Sequence, residues 1–164
     1  MKTLLILRHA KTQPDAPAGD HARQLTERGL RDAAAMATYI HTLVGTPDAI
    51  VTSDARRALQ TAEIVAVRVE FTKPLTIEPR VYAANLAVLL AVVRGLPNDA
   101  DLVVFVGHNP GFEDLAAALA ANHDEHVRLP TSALAHLELD VPRWDAVQPG
   151  SGCLREVATR HTIA

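Results

Sequence analysis

The chain has 164 residues, 48% of them apolar, 21% charged and only 4% aromatic, with a formal net charge of −3. That length and apolar content suffice to bury the core of one domain, expected to span residues 1–164. The negative balance excludes a general nucleic-acid binder, which needs a dominant basic face. Scarce aromatics and the absence of low-complexity sequence exclude stacking platforms and disorder-based recognition.

The elements alternate along the chain. Residues 3–8 are continuously apolar up to Arg8 and predict a buried strand, and Thr26 opens a helix that runs through an alanine-rich stretch to about residue 43. The connection over residues 11–25 carries two prolines and Gly19, a surface loop expected to overhang a cleft. Ala49–Thr52 predicts a second strand, followed by a helix capped by Ser53 or Asp54 that carries Arg57 towards residue 69. Lys73-Pro74 breaks it, and residues 75–77 read as a short edge strand. Residues 85–94 have helical periodicity and stop at Gly95-Leu96-Pro97-Asn98. Residues 101–106 predict a strand, and Pro110 starts a helix running to about residue 121. Two last strands are expected over residues 132–141 and 153–159. Strands alternating with helices in this order predict an α/β fold, with helices on both faces of a mostly parallel sheet.

The longest apolar runs, residues 86–93 and 102–106, are too short to span a bilayer, so no membrane partner is expected. Cys153 is the single cysteine, and no charged-then-apolar leader precedes the first strand, so the expected location is a reducing cytoplasm.

Three segments carry the chemistry. Leu7-Arg8-His9-Ala10, Thr52-Ser53 with Arg57, and Gly107-His108-Asn109-Pro110 each follow a strand, and in a parallel α/β sheet ligand clefts form at those carboxyl ends. Two guanidiniums and helix N-termini converging there suit a phosphoryl group. A neutral imidazole is a competent nucleophile towards phosphorus, and a second imidazole can donate to the transferring oxygens. Phosphoryl transfer through a phosphorylated histidine is therefore the leading chemistry. Arg57 also has an ion pair with Glu63 or Asp54 within reach on its own helix. The remaining histidines share no spacing; His123 and His126 lie close together without convincing carboxylate or cysteine partners, so no metal site is expected.

These residues carry a family resemblance. Leu7-Arg8-His9-Ala10-Lys11-Thr12 resembles the Arg-His-Gly motif that opens the histidine phosphatase superfamily. Ser53-Asp54-Ala55-Arg56-Arg57-Ala58-Leu59-Gln60-Thr61-Ala62 is similar to its second block, with Arg57 the matching arginine and Arg56 a solvent-facing neighbour, and Gly107-His108 resembles the third. The short chain, Asp20-His21-Ala22-Arg23-Gln24-Leu25-Thr26 and Leu129-Pro130-Thr131-Ser132-Ala133-Leu134-Ala135 most resemble the SixA-type phosphohistidine phosphatases.

The resemblance implies a phosphoglycerate mutase-like three-layer αβα sandwich. It implies His9 as nucleophile, Arg8, Arg57 and His108 clamping the phosphoryl oxygens, and Thr12, Arg23 and Asn109 as further phosphate or substrate contacts. Fixed guanidiniums neutralise the phosphoryl charge, so neither a metal nor another cofactor is expected. The chain departs from the wider family at Asn109, where many members have an acid, and at Ala10, where glycine is usual; a methyl at Ala10 costs little unless the position needs positive φ. Glu78 is the best candidate general acid and Glu113 a weaker one. An imidazole leaves phosphohistidine far more easily than an alkoxide leaves a monoester, so a weak acid position agrees with a phosphohistidine substrate. The expected partner is a phosphorylated protein, such as a phosphotransfer helix bundle, meeting a monomer with an open cleft. A small-molecule phosphomonoester or nucleotide phosphatase uses the same parts, and a phosphate-binding module keeps the clamp without turnover; both stay open at this stage.

Overall fold

The computed structural model describes residues 1–122 and 126–164. Its sheet is built from β1 (Lys2–Arg8), β2 (Ala49–Thr52), β3 (Thr76–Ile77), β4 (Leu102–Gly107), β5 (Leu134–Leu139) and β6 (Gly152–Ala158), in the spatial order β3-β2-β4-β1-β5-β6. β1, β2, β3 and β4 run parallel, while β5 pairs antiparallel with both β1 and β6. The sheet is therefore mixed, with only β5 reversed.

Continuous apolar runs suit strands covered on both faces, and β1 and β4 show it. Leu4, Ile6, Val103 and Phe105 point into one core, and Leu5, Leu7, Val104 and Val106 into the other. The helices α1 (Glu27–Val44) and α2 (Arg56–Arg68) cover the second face, where Met36, Ala37 and Ile40 meet Ala58, Ala62 and Val65. The helices α3 (Leu86–Arg94) and α4 (Gly111–Leu119) cover the first, where Leu89, Val93 and Leu115 pack beside the tilted pair Phe105 and Phe112, whose centroids lie 4.9 Å apart. Each large side chain buried this way contributes about 1.5–3 kcal/mol. The result is the three-layer αβα sandwich expected of a phosphoglycerate mutase-like fold.

The boundaries differ from the sequence expectation where a local polar contact intervenes. Neither Ser53 nor Asp54 caps α2: the N-cap is Ala55, and the Ser53 hydroxyl accepts from the Ala55 N–H one step before the helix. α4 stops at Leu119 because Ala120 turns to extended backbone and pairs with the first residue of β6, Ala121 N–H donating to the Gly152 carbonyl at 2.8 Å. β5 starts only at Leu134, since Ser132 adopts φ 65° and the Ala133 N–H folds back onto Pro130. Three 3₁₀ turns, at Asp20–Ala22, Pro79–Val81 and Trp144–Ala146, have no periodic signature in the sequence. Ala10 is not among the residues with positive φ; its side chain packs with Leu25 and Ala33, and the methyl is accommodated without backbone strain.

Candidate active site

The carboxyl ends of β1, β2 and β4 lie side by side, with Arg8 paired to Gly107 and Thr52 to Val106 in register. Chain continuation therefore delivers His9, Ser53 and His108 to one edge of the sheet. Arg57 arrives from the first turn of α2, buried, while its neighbour Arg56 is exposed. A cavity of about 520 Å³ opens there, lined among others by Arg8, His9, Thr12, Arg23, Arg57 and His108. Asn109, Lys11, Thr26 and Thr131 add to its polar wall, and no carboxylate among the described residues lines it.

The hydrogen bonds assign the two imidazole tautomers. His9 Nδ1 lies 2.8 Å from the Ala10 carbonyl oxygen, which can only accept, so Nδ1 carries the hydrogen and Nε2 keeps its lone pair. His108 Nε2 lies 2.8 Å from the Ser53 hydroxyl. That hydroxyl already accepts from Ala55 N–H and is fully buried. Its own hydrogen goes to His108 Nε2, which leaves the His108 hydrogen on Nδ1 as a donor. The rings are 5.3 Å apart between centroids.

Both rings are neutral at pH 7. Burial pushes His9 down to about 3, with His108, Arg57 and Arg8 adding repulsion. Burial also lowers His108 to about 4, and the positive charge of Arg57 contributes. A neutral His9 has its lone pair available, and a neutral His108 acts as a hydrogen-bond donor rather than a cation.

The positive wall is held by second partners. Arg8 donates to the Leu129 carbonyl at 3.1 Å, Asn109 Nδ2 donates to the same oxygen at 2.8 Å, and Glu113 accepts from the Leu129 N–H at 2.7 Å. Glu113 thus anchors the segment that Arg8 and Asn109 lean on. Arg23 donates to the Gln13 carbonyl, to Asp20 and to Thr12 Oγ1, the last at 2.5 Å, so Thr12 and Arg23 meet as a pair beside the cavity. Arg8 Nε, Arg57 Nε and His108 Nδ1 are buried with no hydrogen-bond partner among the described residues. Buried donors without a protein acceptor are costly unless an anion meets them.

One expected residue and one alternative pairing are not met by the geometry. Glu78 is not brought to the cavity: its carboxylate accepts from the Arg80 backbone N–H and guanidinium, and that pairing holds it below the usual carboxylate range. Arg57 does not pair with Glu63 or Asp54. It takes Asp20 instead, donating to the Asp20 carbonyl at 2.8 Å and to its carboxylate at 3.1 Å.

The role of Asp20 has no signal in the sequence pattern. Its carboxylate also accepts from Arg23 and from the Tyr82 hydroxyl at 2.5 Å, and Tyr82 in turn packs against the rings of His108 and His21. These contacts cross 37 and 62 residues of sequence, so only the Asp20-His21 segment's place in a loop over the cleft hinted at them. The cap signature of Ser53 in the sequence carries no sign of its pairing with His108. His126 lies near Glu113, whereas His123 is outside the described residues.

Residues 4–86, just over half of the chain, match the family described as the histidine phosphatase superfamily (branch 1). The chain belongs to the histidine phosphatase superfamily. Membership makes it a phosphatase, a hydrolase of phosphoryl groups. An uncharacterised protein of Mycobacterium tuberculosis is 28% identical over 156 residues, covering 90% of this chain and 96% of that protein. A solved structure from Agrobacterium tumefaciens, named as a SixA phosphohistidine phosphatase, is 25% identical with a TM-score of 0.81, over 96% of this chain and 97% of that one. A second, the protein histidine phosphatase SixA complexed with tungstate, is 23% identical with a TM-score of 0.85, over 99% of each chain. The chain is thus SixA-like in fold. No helix among the described residues is long and apolar enough to cross a membrane.

Proposed function

We propose that this phosphatase hydrolyses protein phosphohistidine through a covalent intermediate on His9. Arg8, Arg57 and the His108 Nδ1–H hold the phosphoryl oxygens, with Thr12, Arg23 and Asn109 at the rim of the same cavity. As charge redistributes over the three equatorial oxygens, fixed guanidiniums and a neutral donor stabilise it without reorganising. His9 Nε2 attacks phosphorus in line; the new N–P bond forms as the leaving-group bond breaks, its electron pair departing with the leaving nitrogen. Water then attacks phosphorus, the pair returns to His9 Nε2, and dihydrogen phosphate departs while Nδ1 keeps its hydrogen throughout. The guanidiniums make a metal or other cofactor unnecessary in this scheme.

The observation that carries the substrate class is that no carboxylate among the described residues lines the cavity that holds His9, while Asp20 beside it is held ionised by Tyr82, Arg23 and Arg57 and has no proton to give. An alkoxide leaving group needs a proton from a positioned acid, worth about 10²–10⁴-fold. Glu78, the nearest candidate by sequence, is turned away and ionised. An imidazole whose distal nitrogen is protonated leaves as a neutral molecule and needs no such donor. The solved SixA structures, named for phosphohistidine and for protein histidine, support the same reading.

The test is a steady-state comparison of kcat/KM for a phosphohistidine-bearing protein and for an alkyl phosphomonoester, glycerol 2-phosphate. A preference of at least about 100-fold for the phosphoprotein is expected from the missing acid. Equal values would make this a small-molecule phosphatase, and phosphate binding without turnover of either would make it a binding module.

A further inference from the structure

A second cavity of about 470 Å³ adjoins the first and shares Arg57, His108 and Asn109 with it as a common wall. Its chemistry is opposite. Beyond the shared wall it is lined by Asp20, Tyr82, Asn85 and Asp114, so two carboxylates and a phenol face a space with no further cation among the described residues. Asp20 sits at the junction, its carboxylate accepting from Arg57 and Arg23 on one side and from Tyr82 on the other. Asp114 is exposed at the start of α4, and no hydrogen bond or ion pair engages its side chain among the described residues. His108 spans the two spaces, nine-tenths buried, with Nδ1 lacking a partner among the described residues. A phosphoryl group held on the basic side would thus carry its leaving group towards the acidic side.

We infer that the second cavity is the leaving-group subsite, and that Asp20 and Asp114 select a protonated nitrogen heterocycle there, the imidazolium of phosphohistidine. This deepens, and rests on, the reading that the substrate is phosphohistidine. The atoms balance without a proton donor. The substrate ring enters with hydrogen on its distal nitrogen; its P–N bond breaks, the pair stays on the leaving nitrogen, and the ring leaves neutral. His9 gains the phosphoryl group and the positive ring charge in the same step. Two carboxylates beside the substrate ring keep its distal hydrogen in place until the bond breaks. They also oppose a leaving group that must depart as an anion. The acidic wall therefore acts as a filter on the leaving group's charge, and the basic wall as a clamp on the phosphoryl group.

The experiment measures kcat/KM for phosphoimidazole and for p-nitrophenyl phosphate with the wild type, Asp114→Lys, Asp20→Asn and Glu63→Lys, and reads the ratio of the two. Glu63→Lys makes the same change of net charge in a remote groove. The ratio should fall by about tenfold or more in Asp114→Lys, the scale of a close charge interaction near a surface. It should fall in Asp20→Asn as well and hold in Glu63→Lys. Should both substrates fall alike in Asp20→Asn and the ratio hold in Asp114→Lys, the carboxylates only prop Arg57 and the inference is overturned, while a wild-type preference for phosphoimidazole would leave the substrate reading standing. A wild type with no preference at all would overturn both.

Discussion

Acid should unfold this protein through its own active site. His9 and His108 titrate at about 3 and about 4 in the folded chain, against an ordinary value of 6.5, because both rings are buried beside arginines. The unfolded chain therefore binds two protons that the folded chain refuses, and stability falls as pH drops below about 6.5. The loss stops growing only below the folded values. Between pH 6.5 and pH 5 each ring contributes about 1.5 pH units at about 1.4 kcal/mol per unit, or about 2 kcal/mol. Both together approach about 4 kcal/mol, a large part of the 5–15 kcal/mol typical of a domain. Urea unfolding at pH 7 and pH 5 measures the drop directly, in the wild type and in His9→Gln and His108→Gln. Each variant should lose about 2 kcal/mol less than the wild type over that interval, whatever its stability at pH 7. A drop of the same size in all three proteins would mean that the rings titrate alike in both states and contribute nothing to acid lability.

Other expectations follow from single contacts. Ser53→Ala removes the donor to His108 Nε2 and frees that ring to take the other tautomer; kcat/KM should fall about tenfold, equivalent to about 1.4 kcal/mol, and the ¹⁵N shifts of His108 should move. Glu78→Gln should change kcat by no more than about twofold on either substrate, since the side chain lines neither cavity; a hundredfold loss would restore it as the general acid. Gly29→Ala drives a Cβ into the backbone carbonyl of Lys11, which already accepts from Thr26 N–H at 2.9 Å. That overpacking should cost about 1–3 kcal/mol in urea unfolding and disturb the segment that leads out of His9.

The clamp was legible because each of its members follows directly from a strand. Arg8, His9 and His108 need only the sheet register to converge, and Arg57 needs only the first turn of α2. The fold was legible for the same reason, since continuous apolar runs separated by amphipathic stretches leave few other arrangements. Polar loop geometry was not legible. Asp20 reaches Arg57, Arg23 and Tyr82 from a 3₁₀ turn with no periodic signal, and its partners lie up to 62 residues away. Glu78 is close in sequence to Tyr82, yet Arg80, two residues on, claims its carboxylate. Ser53 has the sequence signature of a cap, but its hydroxyl hydrogen has a better acceptor in His108. A short polar side chain at a strand end serves whichever partner the tertiary fold brings nearest.

Rapid-quench trapping follows the phosphoryl group on its passage through His9. Wild type and His9→Ala are mixed with a radiolabelled phosphohistidine protein, quenched within milliseconds in base, which phosphohistidine survives, and probed for acid-labile label on the enzyme. Label should form on the wild type faster than phosphate is released, and none should form on His9→Ala. Turnover with no label on the wild type, or equal label on the variant, would contradict that passage.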